Sequence, residues 1–215
     1  EHACNIANRV PGSELVAIAD ANFDRAKQVA EELGVTAVYN DPKDLCADPN
    51  VEAVAIITNT ASHVEMIKIA MDAGKHVFCE KPLADTVEKC KEAEAIIAAH
   101  PELTFMLGFM RRYDHSYQVA KKKRENGDIG DVILVRCYSQ DPISIIEGTL
   151  EYAPRSGGQF IDMSIHDFDL IRWLTGSEVK ELWATGGCYE FKQYKDWDDG
   201  DNVSGLMKME NDAMA

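Results

Sequence analysis

The stretch VEAVAIITNTASHVEMIKIAMDAGKHVFCEKP, Val51 to Pro82, decides the fold. It passes from a short, continuously apolar segment (VEAVAIIT) through a helix-patterned one (SHVEMIKIAMDAG) to a second apolar segment (HVFCE). Strands that are apolar at successive positions are covered on both faces, and strands joined by amphipathic helices form a parallel sheet. The same alternation extends outward in both directions. Upstream, ELVAIAD (Glu14 to Asp20) reads as a buried strand after a Pro-Gly turn, and NFDRAKQVAEELG as a helix stopped at Gly34. Downstream, DTVEKCKEAEAIIAAH reads as a helix and TFMLGF as a strand. The fold class expected is α/β, with a Rossmann-like parallel sheet. EHACNIANRV opens already in helical pattern and without methionine, so the natural start is expected to lie further upstream.

After about Phe109 the rhythm changes. A helix over His115 to Glu125 ends in NGDIGD, DVILVRCYSQD reads as an alternating strand, and a loop containing Gly, Pro and Ser leads to Ser156. SGGQFIDMSIHDFDLIRWLTG reads as one long helix, followed by strands in VKELWATGGCY and NVSGLMKME. This predicts a second, α+β domain, with the division at 1–108 and 109–215.

Charge narrows the function classes. With 37 Asp and Glu against 22 Lys and Arg, the formal net charge of -15 repels phosphate backbones and anionic membrane surfaces, so no nucleic-acid partner is expected. The run KKKR, Lys121 to Arg124, reads as the wet face of a helix. The cysteines Cys4, Cys46, Cys79, Cys90, Cys137 and Cys188 form no C-x-x-C pair, which is thiol usage of a reducing compartment. No apolar run approaches the ~20 residues a spanning helix needs, and no signal peptide precedes the first strand. A cytoplasmic protein without a membrane partner is the expectation.

Chemistry-bearing residues cluster at strand ends. An acid at the tip of a strand, such as Asp20, can hydrogen-bond the adenine ribose of a dinucleotide and repel the extra phosphate of NADP. Asp20 and Asn22 also suit the N-cap of the following helix, and the sequence leaves both readings open. The G-x-G-x-x-G turn that usually accompanies such an acid is absent from these residues and is expected upstream of Glu1. Thr58, Asn59 and His63 lie where the AIIT strand opens into a helix, a place where free helix N–H groups face a ligand; capping by Thr60 or Ser62 explains part of the same turn. Glu80 and Lys81 end the next strand, and Pro82 holds Lys81 in extended geometry.

On the helix IDMSIHDFDLIRWL, Asp162 and His166 stand at i and i+4, Asp169 extends the stripe, and Ser164 and Asp167 are further polar positions. Ionisable groups on a mostly apolar helix need a partner or a water-accessible cleft. A core histidine satisfied by Asp162 or Asp169 is the plainer alternative. No metal site is expected, since no second His or Cys cluster completes one. Histidine, lysine and carboxylate together suit the oxidation of a secondary alcohol: one group takes the hydroxyl proton and a cation steadies the developing alkoxide.

EKPLAD, GFMRRYD and SGGQFIDMSIHDFDLIRWLTGSE resemble the glucose-fructose oxidoreductase and inositol dehydrogenase family of NAD(P)-dependent sugar and polyol oxidoreductases, over nearly the whole chain. Among its branches the similarity is greatest to the inositol 2-dehydrogenases. The resemblance implies a Rossmann domain followed by a domain with a large, mostly antiparallel sheet, often assembled into homotetramers through that sheet. It implies Lys81, Asp162 and His166 as catalytic triad with His166 as proton acceptor, Arg111 and Asp162 against the polyol, and Glu80 lining the cofactor site. NAD is the cofactor expected, with Asp20, Thr58, Asn59, His63, Glu80 and Lys81 around it. Relative to the family pattern, the glycine loop and first central strand are expected to be missing, and the chain stops before a member normally finishes. Ser139 to Pro142 and the ISIIEGTLEYAPR loop differ from the inositol enzymes. The leading function is thus NAD-dependent oxidation of a cyclitol to the ketone. An aldose or anhydrosugar oxidoreductase and a non-catalytic dinucleotide-binding regulator are the alternatives.

Overall fold

Short parallel strands carry the first of the two units into which the chain divides, Glu1–Gly108 and Phe109–Ala215; the computed structural model describes residues 1–215. In the first unit the order is α1 (His2–Asn8), β1 (Ala17–Ala19), α2 (Phe23–Leu33), β2 (Ala37–Tyr39), α3 (Pro42–Ala47), β3 (Ala53–Ile56), α4 (His63–Asp72), β4 (His76–Cys79), α5 (Val87–Ala98) and β5 (Phe105–Leu107). The strands form two parallel ladders, β1-β2 and β3-β4-β5, in which Ala17 pairs with Ala37, Val54 with Val77 and Val77 with Phe105.

Local chemistry explains the boundaries. The Asn22 side chain caps α2 by accepting from the Arg25 N–H, and Gly34, at φ 73°, ends it in the left-handed conformation glycine adopts at least cost. Val35 N–H then bonds back to the Ala30 carbonyl, which turns the chain into β2. The Asp41 carboxylate accepts from Lys43 N–H and Pro42 occupies the first turn of α3. On α4, Val64, Ile67, Ala70 and Met71 are all buried, the helical stripe that packs against Ile56, Val77 and Cys79 of the sheet and Ala93 of α5. Full burial of one such aliphatic side chain contributes roughly 1.5–3 kcal/mol.

The second unit comprises α6 (His115–Glu125), α7 (Ile146–Tyr152), α8 (Gln159–Asp162), α9 (Ile165–Thr175) and the antiparallel hairpin β6 (Val179–Gly187) and β7 (Asn202–Met209). Its small core gathers Ile171 of α9, Met207 and Met209 of β7, and Ala213, with Val135, Cys137 and Phe168 against them.

Three expectations are corrected here. DVILVRCYSQD is not a strand: its one ladder contact runs beside Met214, where Val135 N–H bonds the Met214 carbonyl and Met214 N–H the Ile133 carbonyl. An alternating pattern becomes a strand only with a neighbour along its length. The long helix is broken between α8 and α9, because His166 and Asp167 N–H groups bond three residues back, to Met163 and Ser164, and the regular ladder begins with Phe168 to Ser164. The run KKKR is only half solvated. Lys121 donates to the Trp173 carbonyl at 2.6 Å and Arg124 to that of Thr175 at 3.1 Å, so two cations satisfy the C-terminal carbonyls of α9.

Between β6 and β7 the chain is tied by Asp201, whose carboxylate accepts the N–H groups of Tyr189, Glu190 and Phe191. Burial alone would raise this carboxyl, but those bonds and one from Asn202 outweigh it and hold it far below the usual carboxylate range. A depressed native value means stability that is present above the unfolded-state value near ~3.9 and is lost as pH falls through the native one. Asp201→Asn is therefore expected to lower stability at neutral pH by about 1 kcal/mol, allowing for solvent screening. Urea titrations of both proteins should show the gap close as the pH is taken well below 4; a gap independent of pH would contradict the assignment.

Candidate active site

In the first unit the predicted residues sit at the carboxyl ends of parallel strands, the position at which open α/β sheets bind ligands. Asp20 follows β1 and is exposed; its carboxylate accepts from Asn22 N–H at 2.8 Å, while the cap of α2 belongs to Asn22. The open question of whether Asp20 caps this helix is thus answered by its neighbour. Thr58 and Asn59 follow β3 and are both exposed, with the Thr58 hydroxyl accepting from Ser62 Oγ at 2.8 Å.

His63 behaves differently from the expectation. It is 1% exposed, with Nδ1 2.8 Å from the Pro82 carbonyl oxygen and Nε2 3.2 Å from that of Thr58. Both ring nitrogens face backbone carbonyls, so the imidazole is a bracket between the turn after β3 and the turn after β4, and its direct contact with a cofactor is withdrawn.

Glu80 and Lys81 leave β4 at the second of these turns, and the Lys81–Pro82 peptide is cis. Glu80 N–H pairs with the Ile56 carbonyl at 3.0 Å, which extends the β3-β4 register to the edge. The Glu80 carboxylate accepts from Lys81 N–H at 3.1 Å and lies 3.0 Å from His2 Nε2. Gly108 makes room for it: a Cβ there would stand 3.1 Å from Glu80 Oε2. Cys79, fully buried just before Glu80, is pushed up to about 12 by burial and by the Glu80 charge, so it is an inert thiol at this edge.

The second unit carries the other predicted residues. Asp162 is the last residue of α8 and His166 lies in the first turn of α9, so the break between them replaces the single helical stripe. His166 meets the Phe109 ring edge-on at 6.4 Å between centroids. Arg111, in the 3-10 turn Met110–Tyr113, donates from Nη1 to Asp167 and from Nη2 to Ser139 Oγ at 3.0 Å; Ser139 in turn donates to Asp167 at 2.8 Å. Arg112 binds Asp169 with two bonds, at 2.8 and 2.5 Å, and this hydrogen bonding, set against burial, raises its guanidinium above the ordinary value. Asp169, 5% exposed, is thus an ion-pair partner and does not extend a catalytic stripe. The sequence marks Asp167 only as a further polar position and Ser139 only as the start of a divergent segment, not as partners of Arg111. The available signal was the pairing of two adjacent arginines with two aspartates at i and i+2.

A unit built on a parallel sheet with exposed polar residues at its strand ends, followed in the sequence by an α+β unit, defines the class: a family model for an oxidoreductase family with an NAD-binding Rossmann fold matches residues 1–109, and a GFO/IDH/MocA C-terminal domain matches 117–215. The chain belongs to this family. It is similar to the myo-inositol 2-dehydrogenase of Thermotoga maritima, 40% identical over 192 residues that cover 86% of this chain and 54% of that one. Among solved structures, a myo-inositol 2-dehydrogenase from Lactobacillus plantarum matches with a TM-score of 0.94 at 39% identity. The scyllo-inositol dehydrogenase from Lactobacillus casei with bound NAD(H) and scyllo-inositol matches at 0.93 and 38%. Each structure is matched over 100% of this chain and 64% of its own, so the chain spans less than two thirds of these relatives.

The bracket makes a stability prediction. His63→Ala would remove the ring N–H that one of these carbonyls accepts and leave a cavity behind α4, at a cost of about 2–4 kcal/mol. Denaturant unfolding should show the loss; an unchanged midpoint would mean the ring holds neither turn.

Proposed function

We propose that the protein is an NAD-dependent dehydrogenase that oxidises a secondary hydroxyl of a cyclitol to the ketone. The observation that carries this reading is the match over the whole chain to a dehydrogenase solved with NAD(H) and scyllo-inositol, joined to the presence here of Lys81, Asp162 and His166 in the expected motifs. The first unit fits a dinucleotide, since Asp20, Thr58, Asn59 and Glu80 all stand at carboxyl ends of parallel strands. NAD, when bound, supplies the hydride acceptor. In this reading His166 takes the hydroxyl proton, the Lys81 ammonium steadies the alkoxide, and the carbinol carbon gives up hydrogen with its electron pair as the C=O bond forms. Asp162 and Arg111 hold neighbouring hydroxyls, the Arg111 guanidinium being already oriented by Asp167 and Ser139.

Assembly and location follow the same reading. Trp183 and Leu206 pair across the hairpin and are 54% and 53% exposed, apolar surface suited to a sheet-mediated homotetramer. All six cysteines are free thiols, which suits the reducing cytoplasm, and no helix is long and apolar enough to cross a membrane.

The full chain with its natural termini, screened against inositols and pyranoses with NAD and NADP, tests the reading; absorbance at the reduced nicotinamide band with a cyclitol is expected. Turnover of pyranoses alone would move the substrate to aldoses, and cofactor binding without turnover would favour a regulator. Lys81→Ala and His166→Ala should each lower kcat by ~10² or more with NAD still bound; wild-type turnover in either removes that residue from the chemistry. Asp20→Ser should narrow or invert the preference for NAD over NADP, read from kcat/KM with each cofactor. An unaltered ratio would leave Asp20 as a turn residue only.

A further inference from the structure

Within the second unit, Asp162 opens onto a cleft also lined by Asp141, Thr149, Tyr152, Gln159 and Tyr194. Gln159 and Asp162 are the first and last residues of α8, three apart and therefore on one side of that single turn. The turn is gripped from outside. The Asp199 carboxylate accepts the Gln159 N–H at 3.1 Å, and the Gln159 side chain donates from Nε2 to the Tyr194 hydroxyl at 3.2 Å. Tyr194 is 2% exposed, and Cys188 Sγ donates to the Asp199 carbonyl at 3.1 Å, fixing Asp199 in the β6-β7 connection. Gly158 permits the approach: it stands at φ 92°, where a side chain would be strained, with its Cβ direction 3.5 Å from the Asp199 carboxylate.

We propose that Gln159 is a specificity-determining substrate contact beside Asp162, and that Tyr194 and Asp199 are its positioning residues. The inference rests on the cyclitol reading above. With Nε2 held by Tyr194, the carboxamide oxygen remains an acceptor of fixed position, and Asp162 three residues on supplies a charged acceptor. Two acceptors so spaced suit adjacent hydroxyls of a ring. Cyclitol epimers differ in where those hydroxyls point, and a site built on hydrogen bonds to hydroxyls discriminates far more strongly than an apolar wall does.

The test uses the full chain, with myo-inositol and scyllo-inositol as paired substrates. Gln159→Ala is expected to raise KM for the preferred epimer about tenfold or more and to change the ratio of kcat/KM between the epimers, with KM for NAD unchanged. Tyr194→Phe should move the epimer ratio in the same direction and by less. Gln159→Glu, nearly equal in shape, provides the same readout should the alanine variant fail to fold. A merely structural role would lower the unfolding temperature and slow both epimers alike; an epimer ratio unchanged in Gln159→Ala or Gln159→Glu overturns the inference. A wild-type protein that turns over neither inositol overturns the cyclitol reading and this inference together, whereas turnover with an unchanged ratio overturns this inference alone.

Discussion

The imidazole of His63, buried between the carbonyls of Pro82 and Thr58, is the contact on which the sheet edge depends. Turns at strand ends carry backbone groups that no ladder satisfies, and burying them unpaired would cost about 1–3 kcal/mol each. A neutral ring has one N–H to give, so it donates to one of these carbonyls, which lie at 2.8 and 3.2 Å, and packs against the other, and its side chain spans the loops after β3 and β4. Lys81 inherits that rigidity. Its turn begins with the Glu80-to-Ile56 bond of the β3-β4 ladder and closes at the Pro82 carbonyl under the ring. Gly108, at the end of β5, clears the space into which the Glu80 carboxylate folds. A residue whose position invites a cofactor-binding reading thus acts through packing, and it holds the turn that carries Lys81.

The second unit adds buried ion pairs to its small core. Arg111 and Arg112 lie side by side on a 3-10 turn, and each finds an aspartate on α9, Asp167 for one and Asp169 for the other. Both aspartates are buried, so removing either arginine would strand a buried charge, a far larger penalty than the near-zero worth of an exposed pair. At the far end of α9 the cations of Lys121 and Arg124 meet its last carbonyls. The helix that carries His166 is therefore fixed at both ends by charge, and its first residues are free to leave the regular ladder.

The regular part of this architecture was legible because burial writes a strong pattern. Continuous apolar strands such as AVAI and HVFC, with α4 between them, leave little choice of fold, and His115–Glu125 ends at its own turn signal. What escaped was short or relational. The strand β2 has only three residues and no pattern of its own apart from its partner β1. The break after Asp162 lies in hydrogen bonds reaching three residues back, which periodicity does not record. Asp167 reads as a plain polar position and Asp169 as an extension of the Asp162–His166 stripe until their arginines, more than fifty positions earlier, are brought against them. The placement of Lys81 at a strand end was readable from spacing; the bracket that holds it there was not, since it depends on a ring reaching across two loops.

The proposed activity is the transfer of hydrogen, with its electron pair, from a ring carbinol to NAD. Incubation of the full chain with NAD and a cyclitol deuterated at its ring carbons, followed by NMR of the recovered nucleotide, addresses it directly. Deuterium at C4 of the reduced nicotinamide, matched by ketone in the cyclitol, is the predicted result. Cyclitol recovered unoxidised, with no label in the nucleotide, would contradict the account.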